Sequence, residues 1–358
     1  EWRQIRAEMV GLRALNYFYL IRAFKDVPYT TTVINNDTEV QSFGATNQMV
    51  ILDSLINDVE SVKGQARNRF SAKNDTKGLI TKAAIYAMLS DMYLWRASLH
   101  EGRGLTTGDS VYFANTSEAY VVTSTPAEDY QSCIENANLA LAALAEQNEN
   151  DRIGSGLGAT RQETTDYGLT NCNLIKNSYE NFASGVEPEL TAHSQIFLLG
   201  NSEESIFELQ FSTSDDRKNG LVDHNLWGYS SVTHLAVSQG ALGAISSGSD
   251  FNRDSRMWFS AWSKQIGNSS GLPGLFCFKW GGVILDMPDN NQCSDIAVSA
   301  SSSSYCNWIV YRISDGMLGL GIVVEEEHIV GIITDGDIRR AMERWQAEFF
   351  DHTVSDIM

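Results

Sequence analysis

The groups in this chain that could do chemistry are paired carboxylates, scattered histidines and cysteines, and aromatics set among polar residues. Glu203-Glu204 and Asp215-Asp216 are adjacent acidic pairs. A glycoside hydrolase needs two carboxyl groups about 5 to 10 Å apart. Neighbours on an extended strand point to opposite faces, so both pairs read as solvated loop charge and the glycosidase reading is the weakest. The six histidines never fall into H-E-x-x-H spacing, which leaves a zinc hydrolase unsupported. Asp335-Gly336-Asp337 lacks the further carboxylates of a calcium loop. Cys133, Cys172, Cys277, Cys293 and Cys306 contain no C-x-x-C pair, so metal and redox motifs are unsupported and no cofactor is implied. A Cys293–Cys306 bridge would close a Ser-rich loop; the plainer expectation is free thiols.

Aromatics offer more. Sugar rings stack their apolar C–H faces on Trp and Tyr, and their hydroxyls pair with Asn, Asp and Arg. His224-Asn225-Leu226-Trp227-Gly228-Tyr229 supplies both kinds of group, and Trp258 lies four residues before Trp262, a spacing that shares one helical face. The candidate glycan-binding residues are therefore Asn225, Trp227, Tyr229 and Trp258. For each aromatic the alternative is a core side chain, since large aromatics are mostly buried.

These residues need a frame. In residues 1–24 the apolar positions Ile5, Met9, Leu12, Leu15, Phe18 and Tyr19 recur at three- and four-residue steps and predict a helix, stopped at Asp26-Val27-Pro28. After a polar linker over 29–46, Met49, Leu52, Leu55, Ile56 and Val59 predict a second helix. Thr81, Ala84, Met88, Met92 and Trp95 predict a third over about 77–99. Tyr130, Ile134, Ala137, Leu141 and Leu144 predict a fourth, with Pro126 in its first turn. Each has one apolar stripe and needs a partner, which suggests divergent tetratricopeptide-like pairs with long inserted loops, since the spacing exceeds the regular repeat of about 34 residues. Residues 151–189 show no sustained periodicity. Ser205 to Phe211 alternates and predicts a strand, 220–311 is loop-like and aromatic-rich, and the last 40 residues read as β-β-α, with strands at 321–324 and 329–333 and a helix at 337–350. The fold class expected is mainly α.

Composition narrows the functions. The 358 residues carry 45 acidic against 26 basic side chains, a net charge of −19, and such a surface repels phosphate backbones. Nucleic acid is excluded as a general partner. The longest apolar or glycine run, 316–324, is far short of the roughly 20 residues of a membrane helix. The chain opens on Glu1 already in helical pattern, without the basic and apolar regions of a signal peptide, and reads as trimmed or as a fragment.

Five segments, in order, resemble the SusD/RagB family of outer-membrane nutrient-binding lipoproteins. Arg6, Glu8 and Leu12-Arg13-Ala14-Leu15-Asn16-Tyr17-Phe18-Tyr19-Leu20 are similar to its arginine- and aromatic-rich helix, and Phe24-Lys25-Asp26-Val27-Pro28 to the turn that follows. Arg69-Phe70 and the helix ending in Asp91-Met92-Tyr93-Leu94 come next, then the strand segment Asn201 to Phe211, then Tyr311-Arg312-Ile313-Ser314-Asp315, similar to the start of a late helix. The resemblance implies a helical superhelix, non-catalytic binding of a glycan or other nutrient, and delivery to a SusC-like TonB-dependent transporter. It also implies an outer-membrane, cell-surface location, with the membrane reached only through a lipid anchor upstream. In the family, glycan contacts lie in variable loops, so no site residue is carried over by position.

From about Gly319 the resemblance changes. Gly331-Ile332-Ile333-Thr334-Asp335-Gly336-Asp337-Ile338-Arg339-Arg340 and Thr353-Val354-Ser355-Asp356-Ile357-Met358 resemble the CBS segment of arabinose-5-phosphate isomerases. The matching Thr and Asp contact ribose and phosphate in such domains, so Thr334 and Asp337 are the implied nucleotide-binding residues; the local alternative is a helix N-cap. The sequence thus divides into a SusD/RagB-like domain, 1–316, and a partial CBS-like segment, 317–358. The switch falls inside a helix-start motif and leaves both folds incomplete, which fits a chimeric junction better than a natural fusion. A nucleotide-sensing regulatory segment is the alternative function.

Overall fold

A computed structural model describes residues 1–33, 44–68, 76–112, 119–154, 196–197, 200–211, 217–220, 222 and 305–314, with the backbone of short strands elsewhere. Four helices dominate: α1 Trp2–Phe24, α2 Gln48–Val62, α3 Lys82–Glu101 and α4 Pro126–Gly154. The mainly α expectation holds. Consecutive helices pack on one another, and α3 also meets α1. One core joins all four helices through Leu15, Phe18, Leu55, Val59, Met88, Met92, Leu141 and Leu144.

The predicted stripes of α2, α3 and α4 are the buried ones. Of the stripe predicted for α1 only Leu15 and Phe18 are buried. Its core face is Ala7, Gly11, Ala14, Leu15, Phe18 and Ile21, whereas Ile5, Met9, Leu12 and Tyr19 are exposed. The reason is close approach: a Cβ at Gly11 would lie 2.9 Å from Ile85 Cδ1, so the small-residue face of α1, not its bulkiest one, sits against α3.

The boundaries have local causes. Lys25 ends α1 at a φ of 64°, one turn before Pro28. The start of α2 is satisfied twice: Asn47 Oδ1 accepts from Met49 N at 2.8 Å, and Asp26 Oδ1 accepts from Gln48 N at 3.0 Å. α3 begins five residues later than expected; in the stretch before it, Lys77 N donates to Asn201 Oδ1 at 2.9 Å. α4 opens on a capping box around Pro126: Thr125 N donates to Glu128 Oε2 at 2.7 Å and Glu128 N to Thr125 Oγ1 at 3.2 Å.

The strands form two-stranded antiparallel ribbons. β1 Val27–Pro28 pairs with β2 Ala45–Thr46, inside the expected linker, and β3 Ser110–Tyr112 with β4 Ala119–Val121. β5 Thr164–Thr165 pairs with β6 Leu174–Ile175. β7 Ser205–Leu209 is the predicted strand, but it does not alternate between core and solvent: Ser205, Ile206, Phe207 and Glu208 are all buried. The segment expected to be loop-like holds β8 Ala261–Trp262 with β9 Phe276–Cys277, and the hairpin β10 Gly282–Asp286 with β11 Asp295–Ser299. β12 Trp308–Arg312 pairs with β7, so Tyr311 and Arg312 end a strand, and the chain turns helical directly after them at Ile313 and Ser314, inside the segment expected to start a helix. Ile206, Phe207, Tyr311 and Ile313 then join the helical core. β13 Gly321–Glu325 and β14 His328–Ile333 form the predicted hairpin; the helix expected at 337–350 lies outside the described residues. So does Cys293, while Cys306 is buried and Cys133 is a free, buried thiol. Among the described residues no helix is long and apolar enough to cross a membrane.

Candidate functional site

The residues proposed for glycan contact, Asn225, Trp227, Tyr229 and Trp258, lie outside the described residues, as do Thr334, Asp337 and the pair Asp215-Asp216. The structure does describe how the aromatic-rich segment is held. Leu209 at the end of β7 is opposite Trp308 at the start of β12, so the chain leaves and returns at neighbouring positions. Asn307 ties the two ends. Its Nδ2 donates to Glu208 Oε2 at 2.8 Å and to Gln210 Oε1 at 3.1 Å, and its Oδ1 accepts from Phe211 N at 3.0 Å. Asn201 N donates to the same Glu208 oxygen at 2.8 Å, while Glu208 Oε1 is buried with no partner. Asn219 Nδ2 adds a bond to Cys306 O at 3.0 Å. Of the pair Glu203-Glu204, Glu203 is half-buried in a turn, while Glu204 is buried rather than solvated, its Oε2 3.7 Å from Arg312 Nη1.

A second buried polar group was not anticipated. Arg96 on α3 sets Nε and Nη2 against Asp129 Oδ1 on α4 at 3.1 and 2.6 Å, and Nη1 against Asp53 Oδ1 on α2 at 2.9 Å. Asp129 is 1% exposed and Arg96 11%. Ser124 Oγ also donates to Asp129, at 2.8 Å. Tyr120, on β4, gives its proton to Asp53 Oδ2 at 3.1 Å. His100 Nε2, 3.1 Å from the phenol oxygen, is then the donor in that contact, and Nδ1, 3.6 Å from Asp129, has no hydrogen-bond partner. Burial pushes the His100 pKa down and outweighs the attraction of Asp129; burial and Asp53 push the Tyr120 phenol up. Nearby, burial and Glu60 raise Tyr93 to about 12. Histidine and tyrosine are thus held neutral, and the group joins α2, α3, α4 and the β3–β4 ribbon. It is a structural junction. Among the described residues no cluster of His, Cys, Asp and Glu is arranged to hold a metal ion. The available signal was Arg96 and His100, four apart, continuing the buried face of Leu89 and Met92.

Two segments quoted for the family resemblance meet at Asp91, together with Arg22, which lies between two others. Arg22 Nη1 lies 3.3 Å from Asp91 Oδ2, and its guanidinium sits over the Phe18 and Trp95 rings at 5.1 and 5.0 Å. Tyr311, 220 positions later, donates to the same Asp91 oxygen at 3.1 Å, and burial raises its phenol pKa well above the usual value. Arg69-Phe70 lies outside the described residues.

No family model matches the chain, and no curated protein matches it. Solved structures of SusD superfamily proteins are similar to it. One from Bacteroides thetaiotaomicron is 16% identical with a TM-score of 0.49 over 88% of this chain and 53% of its own. One from Bacteroides vulgatus is 13% identical with a TM-score of 0.48 over 88% and 54%. A further solved structure, B. fragilis NanU, is 15% identical with a TM-score of 0.48 over 98% of this chain and 59% of its own. The chain therefore spans between half and three fifths of the length of these proteins. Its mainly α architecture stands on its own four helices.

Proposed function

We propose that the chain is part of a SusD/RagB-type surface protein that binds a glycan or other nutrient without catalysis and passes it to a SusC-like TonB-dependent transporter. The helical body, 1–316, is the binding domain, held at the outer membrane by a lipid anchor, and Asn225, Trp227, Tyr229 and Trp258 contact the sugar. One observation supports this reading: two family-like segments 220 positions apart meet directly, Tyr311 donating to Asp91, as parts of one scaffold do. The clamp at Asn307 supports it, because it gives the aromatic-rich segment a fixed base. A glycan array followed by calorimetry tests it. Binding lost in Trp227→Ala and Tyr229→Ala at unchanged melting temperature supports the reading; turnover of an oligosaccharide moves the protein to the enzymes.

The β13–β14 hairpin favours a second reading for 317–358, a CBS-type segment sensing an adenine nucleotide through Thr334 and Asp337. A rise in melting temperature with ATP or AMP, abolished by Asp337→Ala, is its signature.

A further inference from the structure

We propose that the outward face of α1 is a docking surface for α1 of a second copy of this chain, the two helices lying parallel and in register. This goes beyond nutrient binding and does not rest on it. α1 is apolar on two opposite faces. Ala7, Ala14 and Ile21, seven apart, are buried in the body. Trp2, Ile5, Met9, Leu12, Asn16 and Tyr19 follow one another at steps of three, four, three, four and three. All six are exposed, Trp2 by 77%, Met9 by 60% and Tyr19 by 51%. That alternation is the period of a two-stranded coiled coil and makes a straight seam facing away from the body. At 1.5 Å per residue the seam is about 26 Å long. An isolated helix pair this short is marginal, but packing on α2 and α3 already holds α1 helical, so association need not nucleate it.

Polarity and charge select the occupant and its direction. Asn16 is the one polar residue of the seam, and its Nδ2 donates only locally, to Leu12 O at 2.7 Å. In a parallel pair in register it meets Asn16 of the second copy. Against lipid or a wholly apolar helix it would be desolvated without a partner. The flanks carry opposite charge. Arg6 and Arg13 line the side toward Gln65 and Asp58, and Glu1 and Glu8 line the other. Parallel pairing sets Glu1 and Glu8 beside Arg6 and Arg13 of the second copy, whereas antiparallel pairing sets arginine against arginine. The contacts of Glu8 within the chain are long, 3.4 Å to Arg67 Nη2 and 3.3 Å to Ile80 N, and leave its carboxylate able to share.

Sedimentation equilibrium of the whole chain tests this. In about 0.15 M salt, where the net charge of −19 is screened beyond about 8 Å, a monomer–dimer equilibrium is expected. It should fall between about 1 and 100 μM, the range of a small interface. Met9→Glu sets two carboxylates against each other on the seam and should weaken association at least about tenfold. Its circular dichroism spectrum should match wild type, because Met9 lies outside the core. Asn16→Val should tighten association and admit higher oligomers, since it removes the polar pair that sets register. Mild oxidation of Leu12→Cys should join position 12 of one copy to position 12 of the other, read by peptide mapping, a link that needs the parallel register. Arg3→Cys, off the seam, should not link. A wild-type chain that stays monomeric over this range overturns the proposal, as does a dimer that Met9→Glu leaves intact. A dimer in which Leu12→Cys forms no such link overturns the parallel arrangement. A monomer whose fluorescence shifts to the blue on phosphatidylglycerol vesicles, the shift being lost in Trp2→Phe, also overturns the proposal and gives the face to lipid.

Discussion

The molecule buries carboxylates in two ways. At the junction of α2, α3 and α4, Asp129 and Asp53 share one guanidinium, and hydroxyls of Ser124 and Tyr120 donate to the charge that Arg96 leaves unbalanced. At the base of the aromatic-rich segment, Glu208 is held by an asparagine amide and a backbone N–H, and one oxygen has no partner. The difference is one of tolerance. A charge-paired junction depends on keeping both signs present, whereas an amide-held carboxylate depends on geometry, since dipoles lose their grip when they turn. The first suits a joint between rigid helices. The second suits a strand base that must fix two chain ends and nothing more.

The largest expected effect is therefore at Arg96. Arg96→Met leaves Asp129, 1% exposed, without its counter-charge. Breaking a buried pair on one side costs about 3–5 kcal/mol. Arg96→Lys should recover only part of this, because donors on all three nitrogens of a planar fork cannot be copied by one ammonium. Urea unfolding measures both; an Arg96→Met variant within about 1 kcal/mol of wild type would mean that Asp129 reaches water and that the two burials do not differ as described.

Gly200→Ala comes next and probes the other region. A left-handed φ of 69° and a Cβ 2.4 Å from Asn307 combine backbone strain with a forced shift of the amide. A loss of about 1–3 kcal/mol is expected. The comparison is sharpened by the double variant Gly200→Ala, Arg96→Met: the two sites share no described partner, and their effects should add to within about 0.5 kcal/mol.

Thr125→Ala should cost about 1 kcal/mol by opening the capping box of α4. It also bears on the charged junction, because Asp129 lies in that first turn. Thermal melts of Thr125→Ala and Thr125→Ser separate the cap from the threonine methyl: serine should restore most of the loss.

How much of this was legible in the sequence depended on whether a residue's role was local. Helix stripes with one apolar face, such as Met49, Leu52, Ile56 and Val59, read correctly because periodicity and burial coincide. α1 did not, because it is apolar on two faces and the face that packs is chosen by Gly11 and Ile85, a contact between helices far apart in sequence. The strand at 205–209 was visible, but its burial on both faces follows from pairing with β12 and packing on the helices. The site was legible only as composition. Asn307 gives no signal by itself; its partners lie 96 to 99 positions away, and its importance exists only once β7 and β12 are paired. Arg96 and His100 could have been noticed as polar residues on an apolar face.

The smallest expected effect is the pH response, and it distinguishes the regions by kind. The titratable group of the clamp is the carboxyl of Glu208, whereas the charged junction contains His100. Burial lowers the His100 pKa in the folded protein below its ordinary value near 6.5, against the pull of Asp129 and Asp53, with Arg96 adding to the lowering. The unfolded chain then binds more protons than the folded one between the ordinary value and the lowered one. Stability rises with pH wherever the unfolded state binds more protons. The contribution of His100 is therefore fully favourable above about pH 6.5, is lost as pH falls below it, and levels off beneath the lowered folded value; the slope cannot exceed about 1.4 kcal/mol per pH unit. Urea midpoints at about pH 7.5, 6.5 and 5.5 should fall in wild type and fall less steeply in His100→Gln, whose amide can still reach the Tyr120 oxygen. A His100→Gln variant with the wild-type slope would show that the protons are taken up elsewhere and that the junction stays closed and uncharged at His100 throughout this range.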